Sequence, residues 1–382
     1  MPVRALARVN LSAIERNVAQ LAREAPGSVV CAVVKADGYG HGMVASARAA
    51  LGGGATWLAV ATANEARDLR AGIGDDDLRI LVLGALSDEE LPIALDAGAD
   101  ISVWTVERAR ALAEGGRSAR VHVKLDTGLG RLGTRSVEEA TAVVEEVAGA
   151  EGLELAGLWT HFATADERGD QFFGEQLARF RAWAEPLRAE HPGVLLHAAN
   201  SAALLRDPAS HFDLVRPGVA IYGMDPFGDD PAQRDLEPAL ELVSYVAALK
   251  TAEPGDSAGY GRRFVAQRET RLATVPIGYG DGWRRGLSNN SEALLHARRI
   301  PLVGTVSMDN VTYDVGAAGL EAKVGDGVVL IGAQGAEQIT AEDVARRLDT
   351  INYEITTGLT ARVPREHHRD GAPVEPRGAE PA

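Results

Sequence analysis

The chain has a single cysteine, Cys31, in 382 residues. One thiol cannot close an internal disulfide or build a thiolate metal centre, so no cysteine-based staple and no metal site is expected. No stretch approaches the roughly 18 consecutive apolar residues that a membrane-spanning helix requires. Basic clusters are also missing. Lys and Arg total 39 against 54 Asp and Glu, for a net charge of -15 spread along the sequence, which argues against a surface that tracks nucleic-acid phosphates. Residues 1–10 lack the long apolar core of a signal peptide, so the expected location is the cytoplasm. What is present is ordinary for a soluble globular protein, 46% hydrophobic and 24% charged, and long enough for a sizeable core and two domains.

The first half alternates two textures. Short apolar runs at 28–34, 57–61, 80–84, 100–104, 120–125, 155–159, 194–197 and 212–215 read as strands. Helical periodicity fills 11–24, 42–52, 63–71, 88–97, 105–114, 136–148, 170–189 and 201–206. Runs of this kind, apolar at nearly every position, suit strands buried on both faces of a parallel sheet. Eight βα units in about 215 residues fit a closed (β/α)8 barrel. A doubly wound open sheet is the competing arrangement, but no G-x-G-x-x-G follows the first strand. Beyond residue 238 the segments 241–251, 264–276, 298–306, 309–315 and 327–332 are short, β-branched and bounded by turn residues, the pattern of an antiparallel β domain. A helix at 340–349 opens with Thr340-Ala341-Glu342-Asp343, a capping-box variant. The expected organisation is α/β: a (β/α)8 barrel over 10–238, then a mainly β domain over 239–366. Residues 367–382, rich in Pro, Gly, Glu and Arg, read as a disordered tail.

Barrel active sites lie at the carboxyl ends of the strands. There the first strand offers Lys35 and Tyr39, the fifth Lys124, Asp126 and Arg131, the sixth His161, the seventh Asn200 and Ser201, and the eighth Arg216, Gly218 and Val219. A lysine where a buried strand meets its loop is partly desolvated, which favours the nucleophilic amine of a Schiff-base lysine. Phosphate sites in such barrels use the loops after strands seven and eight, where Ser201 supplies a hydroxyl and Gly218 and Val219 supply backbone N–H groups. Each residue has a plainer reading: Lys35 snorkelling to solvent, His161 a satisfied core histidine, Arg216 paired with a carboxylate, Gly218 a turn glycine. Their convergence on one face favours pyridoxal phosphate over a bound sugar phosphate.

Ala32-Val33-Val34-Lys35-Ala36-Asp37-Gly38-Tyr39-Gly40-His41-Gly42 resembles the cofactor-attachment signature of bacterial alanine racemases, pyridoxal-phosphate enzymes of fold type III. Lys124-Leu125-Asp126-Thr127-Gly128-Leu129-Gly130-Arg131-Leu132-Gly133, Thr160-His161-Phe162, His197-Ala198-Ala199-Asn200-Ser201 and Val215-Arg216-Pro217-Gly218 resemble further motifs in the family's order. Gly259-Tyr260-Gly261, Pro276-Ile277-Gly278-Tyr279-Gly280-Asp281-Gly282, Ser307-Met308-Asp309 and Ile351-Asn352-Tyr353-Glu354 do the same in the second half. The resemblance spans about residues 4–365 and implies that residues 2–9 add a strand to the C-terminal domain.

It also implies roles. Lys35 would hold the cofactor covalently and act as the base for D-alanine, with Tyr260 as the base for L-alanine and His161 supporting that tyrosine. Arg216 would face the pyridine nitrogen. Tyr39, Ser201, Gly218, Val219 and Tyr353 would contact the phosphate, and Arg131 the substrate carboxylate. Lys124 stands where the family often has a carbamylated lysine. Met308 and Asp309, with Tyr260 and Tyr279, would reach the substrate from the second chain of a homodimer. The sequence departs from the family at Ser307, where cysteine is common, and at Asp37-Gly38, where Asn-Ala is common and glycine suggests added flexibility. The implied function is interconversion of L- and D-alanine for peptidoglycan. The alternatives are a serine or broad-specificity racemase on the same scaffold, a fold-type III decarboxylase, and a non-enzymatic carrier of the cofactor.

Overall fold

The computed structural model describes residues 4–374. They form two compact units, one of residues 14–39 and 43–221, the other of residues 4–13, 40–42 and 222–374.

In the first unit eight parallel strands lie at Val29–Val33, Trp57–Val60, Arg79–Val82, Asp100–Val103, Ala119–Lys124, Leu153–Trp159, Leu195–His197 and Leu214–Val215, numbered one to eight below. Their order in the sheet is seven, six, five, four, three, two, one, eight. Strand eight pairs with strand one through Val29↔Leu214 and Val30↔Val215. The circuit is nearly closed on the other side, where Asp213 N–H donates to Leu196 C=O (3.0 Å) and Arg216 N–H to Ala199 C=O (2.9 Å). Strands two and four are buried at every position, one face packing on the barrel interior and the other on helices. The helices between strands start where small polar residues supply caps. Thr62 and Glu65 form a reciprocal capping box at Ala63–Ile73, and Ser136 caps Val137–Gly149 through Glu139 N–H.

The second unit is mainly β. Its larger sheet runs in the order Arg298–Pro301, Glu292–Leu295, Gly327–Gln334, Leu240–Tyr245, Leu6–Asn10, Arg365–Arg369 and Ala372–Pro373, and Glu337–Ile339 pairs with Gly327–Gln334. Leu6–Asn10 is antiparallel to Leu240–Tyr245 and parallel to Arg365–Arg369. A separate three-stranded sheet holds Ala248–Ala252, Thr270–Val275 and Val311–Asp314. The apolar run 241–251, a single segment in sequence, therefore divides between two sheets. The helix Ala341–Arg347 begins with the expected box, Asp343 N–H to Thr340 Oγ1 (3.2 Å) and Thr340 N–H to Asp343 Oδ2 (3.0 Å).

Two expectations differ from the structure. Residues 222–238, assigned to the barrel by texture, cluster with the second unit, where Asp225 N–H donates to Glu342 Oε1 (3.0 Å) and Asn352 Nδ2 donates to Asp225 C=O (2.8 Å). The stretch 367–374, expected to begin a disordered tail, completes the strand Arg365–Arg369 and returns through Ala372–Pro373. Its turn is Asp370-Gly371, both at positive φ (46° and 90°), a hairpin signal that the surrounding charge and proline obscure. Residues 375–382 of that tail, and residues 2–3 of the expected N-terminal strand, lie outside the described residues.

Candidate active site

Lys35 lies two residues beyond the first barrel strand, and the backbone after it turns left-handed. Ala36, Asp37, Gly38 and Tyr39 have φ of 53°, 52°, 61° and 53°. That conformation costs roughly 1–2 kcal/mol for each non-glycine residue, so hydrogen bonds must hold it. Glu65 accepts from Ala36 N–H (2.7 Å) at one oxygen and from Ala61 (2.8 Å) and Thr62 (3.1 Å) at the other. Gly38 N–H donates to Val34 C=O (2.9 Å), and Asp37 Oδ1 accepts from Met43 N–H (2.9 Å). Asp37-Gly38 is thus a fixed turn and not a flexible loop. Burial, then the positive charge of Arg131, lowers the Lys35 pKa below the ordinary lysine value, which raises the share of neutral amine.

At the neighbouring end of strand eight, Tyr39 is buried against Gly218. A Cβ on Gly218 would stand 2.4 Å from Tyr39 Oη, so only glycine leaves the tyrosine hydroxyl its place. Ser201 Oγ accepts from the N–H groups of Gly218 (2.9 Å) and Ala220 (3.3 Å). Two hydroxyls and a run of backbone donors through Val219 therefore converge after strands seven and eight. This donor set, with the space kept open by Gly218, fits a phosphate group.

Arg216 is only 3% exposed. Its Nη1 donates to His197 Nδ1 (2.8 Å), and its Nη2 to the carbonyls of Thr160 (2.9 Å) and Ala198 (3.1 Å) and, at the limit of contact, to His161 Nδ1 (3.4 Å). Neutral acceptors hold it throughout, so the carboxylate partner of the plainer reading is replaced by imidazoles and carbonyls. Burial, followed by the charges of Arg216, Lys124 and Arg131, holds His161 well below the ordinary histidine pKa, so it accepts from Arg216 as a neutral ring. Lys124 is 2% exposed, with Nζ 4.1 Å from the centroid of the Trp159 ring. Burial, then Arg216 and Arg131, lowers its pKa to about 7. Arg131 is exposed at the end of a loop that wraps the Asp126 carboxylate, which accepts from Gly128 N–H (3.0 Å) and Gly130 N–H (3.1 Å).

The other residues singled out in the sequence belong to the second unit. Tyr260 begins a short 3-10 turn and is 75% exposed. Its carbonyl accepts from Thr305 Oγ1 (2.7 Å), and Gly259 (φ 73°) approaches the Thr305 backbone too closely for a Cβ. Tyr279 and Met308 are also exposed, and are brought together by Tyr279 N–H to Ser307 C=O (3.1 Å) and Gly280 N–H to Met308 C=O (2.9 Å). Asp309 Oδ1 accepts from Arg362 Nη2 (2.7 Å). Tyr353 lies half-buried in the helix Asn352–Thr357. The barrel thus gathers Lys35, Tyr39, Lys124, His161, Ser201, Arg216, Gly218 and Val219, while Tyr260, Met308 and Asp309 share the surface of the second unit. His197 and Trp159, which orient and underlie Arg216, are absent from the sequence-based set of site residues. The period-2 spacing of Arg120, His122 and Lys124, placing three polar groups on one face of an otherwise apolar strand, is the signal that points to this interior.

Comparison with known proteins agrees with this geometry. The family model for the alanine racemase N-terminal domain matches residues 9–226 and that for the C-terminal domain residues 239–367. The chain is 43% identical to the alanine racemase of Frankia casuarinae over 379 residues, 96% of each chain. The solved alanine racemase of Streptomyces coelicolor superposes with a TM-score of 0.90 at 38% identity, covering 95% of this chain and 97% of that one. That of Bartonella henselae, solved with covalently bound pyridoxal phosphate, gives 0.86 at 27% identity over 96% of this chain and 100% of its own. A barrel with this lysine, cradle and buried arginine, matched over nearly its whole length together with the β domain, makes the chain a member of the alanine racemase family.

Proposed function

We propose that the protein interconverts L-alanine and D-alanine by a two-base mechanism with pyridoxal phosphate, acting in the cytoplasm to supply D-alanine for peptidoglycan. The observation that carries this reading is Arg216. A buried guanidinium at the barrel mouth, fixed by two imidazoles and two carbonyls, can only donate, and it stands on the same face as a lysine with lowered pKa and a phosphate cradle. Bound pyridoxal phosphate would supply an electron sink for the negative charge left when the Cα proton departs. Lys35 would hold it covalently, Tyr39, Ser201, Gly218, Val219 and Tyr353 would hold its phosphate, and Arg216 would face its ring nitrogen. An arginine that keeps its protons leaves that nitrogen unprotonated and the sink weak. This suits the movement of one proton and counts against a decarboxylase, which calls for a carboxylate there.

Lys35 would serve Cα on one face and Tyr260 on the other. An ordinary tyrosine has a pKa of about 10, so Tyr260 needs a supporting environment to act as a base near neutrality, and His161 is the proposed support. Arg131 would bind the substrate carboxylate, with Met308 and Asp309 beside it. The exposure of Tyr260 (75%) and Met308 (51%) suits residues that a second copy covers, and supports a homodimer in which one chain's Lys35 works with the other's Tyr260. A serine racemase would share each of these residues. Among the described residues no helix is long and apolar enough to cross a membrane.

The test is incubation with L-alanine in heavy water, with and without added cofactor. D-alanine bearing deuterium at Cα is the expected product. Carbon dioxide release, or no exchange, overturns the proposal, and a parallel reaction with serine decides between the two substrates.

Lys124 leads to a second expectation. Neutral amine, the form that adds carbon dioxide, is present near pH 7 because the pKa falls from 10.5 to about 7. Carbamylation should therefore increase as pH rises through about 7, giving Arg131 an anionic neighbour. Native mass spectrometry in bicarbonate should find one added carboxylate that Lys124→Met lacks. An unmodified wild-type chain under saturating bicarbonate rules the modification out.

A further inference from the structure

The contacts of Arg216 continue through the barrel interior to its far rim. His197, which accepts from Arg216 at Nδ1, has its Nε2 2.8 Å from His122 Nδ1. His122 Nε2 is in turn 3.0 Å from Asp100 Oδ2. Asp100 opens strand four and accepts from Arg120 Nε (2.6 Å) and from Arg79 Nε (3.3 Å) and Nη2. Asp100, His122 and His197 are each 0% exposed. Five of the eight strands, three, four, five, seven and the end of eight, contribute a member.

The direction of every bond in this chain follows from its ends. Arg216 has only donors, so His197 Nδ1 carries no proton and His197 Nε2 does. The Asp100 carboxylate has only acceptors, so His122 Nε2 carries the proton and His122 Nδ1 accepts from His197. Protonating His197 at Nδ1 would face one N–H with another. In keeping with this, burial and then the Arg216 charge hold His197 well below the ordinary histidine pKa. At the other end burial favours the protonated acid, yet the bonds from His122 and Arg79 hold Asp100 at about 2.

The backbone makes room for this chain at a specific place. A Cβ on Gly157 would lie 2.3 Å from His122 Nδ1, so strand six admits the imidazole only because it has glycine there. The register of strands five and six also shifts between Val121 and His122, pairing Leu155 with Val121 and Gly157 with His122. Trp57 meets the His122 ring edge-on with centroids 5.9 Å apart, and Trp159 stacks on His197 at 5.6 Å with an interplanar angle of 6°. Both rings are therefore confined in orientation as well as in tautomer.

We propose that His122 and Asp100 are positioning residues for the reaction: acting through His197, they fix which face of that imidazole meets Arg216 and so keep the guanidinium aimed into the barrel mouth. This rests on the proposed role of Arg216 toward the cofactor's ring nitrogen. Breaking the chain at His122 removes the acceptor for His197 Nε2–H. The His197 tautomer with Nδ1–H then becomes accessible, and its N–H opposes the arginine donor 2.8 Å away.

The experiment uses the full-length holoenzyme with 15N-labelled histidine. In the wild type the His197 signals should report the Nε2–H tautomer alone, with assignment by their loss in His197→Gln. In His122→Phe, His197 should show the Nδ1–H form or a mixture, and kcat for alanine should fall by about tenfold to hundredfold, the usual range for losing a partner that orients a site ligand, while KM stays within about twofold. His122→Gln, whose amide can accept from His197 and donate to Asp100, should restore the single tautomer and most of kcat. If His122→Phe does not fold, His122→Leu, smaller and equally without an acceptor for His197 Nε2–H, makes the same break. An unchanged His197 tautomer with unchanged kcat in the broken variants overturns the proposal and leaves Asp100 and His122 as a tie between strands. A wild type that fails to racemise alanine defeats the proposed function instead, and the tautomer spectra still decide whether the chain orients His197.

Discussion

Lys35→Ala is expected to give a folded chain with no covalently held cofactor and with racemisation lowered by about 10^4-fold or more, the upper end for losing a proton-transferring group. The size of the effect follows from the two tasks assigned to one amine. On the proposed mechanism it would form the covalent link, for which burial and Arg131 hold its pKa below the ordinary lysine value, and it would serve one face of Cα. The proposed phosphate cradle of Tyr39, Ser201 and Gly218 is untouched by the change, so uptake of the cofactor without attachment should persist. Borohydride reduction followed by mass spectrometry should find the adduct on the wild type and none on the variant. Partial rescue by added small amines would show that the variant is folded and lacks only the base. An adduct of undiminished yield on Lys35→Ala would mean that another residue is the attachment site.

Tyr260→Phe should behave in the opposite way toward the cofactor. Attachment at Lys35 is expected to be unchanged, while racemisation falls by about 10^2- to 10^4-fold, because a phenyl ring fills the space but moves no proton. The change should cost little stability, since Tyr260 is 75% exposed and its turn is held by backbone, through its own carbonyl and Thr305 Oγ1 at 2.7 Å. Mixing the two variants gives the sharper result. If one chain's Lys35 works with the other's Tyr260, mixed dimers regain one intact site, and activity should return on mixing Lys35→Ala with Tyr260→Phe. Loss of cofactor from Tyr260→Phe would remove the tyrosine from the role of base. Failure to regain activity, with subunit exchange shown by mass, would make each site self-contained.

Much of the barrel is legible in the amino-acid sequence. Eight short apolar runs separated by helical periodicity have few other ways to bury their faces, and the strands lie within a few residues of the predicted runs. The second unit is less legible. Short β segments carry no label for their partners, so the run 241–251 gives no sign of feeding two sheets, and Glu292–Leu295 and the helix Asn352–Thr357 have no distinct periodic signal. The loop after Lys35 reads as flexible because Asp37-Gly38 is a turn-like pair. Its left-handed course depends on Glu65, 29 positions away from Ala36, a contact that local pattern cannot contain.

By itself the sequence determined the fold class, the family and the types of chemical group brought to the barrel mouth: an amine, two hydroxyls, backbone donors and a guanidinium. These are legible because strand ends and motif spacing are local properties of the chain. Only the tertiary structure decided what state those groups are in. The lowered pKa values of Lys35 and Lys124 come from burial and from arginines that the fold brings close, Arg131 to Lys35 and both Arg216 and Arg131 to Lys124. The donor-only setting of Arg216 comes from His197 and the carbonyls of Thr160 and Ala198, and the line of imidazoles behind it joins residues 75 and 22 positions apart. Charge and proton position depend on neighbours in space, and closing the barrel is what makes these residues neighbours.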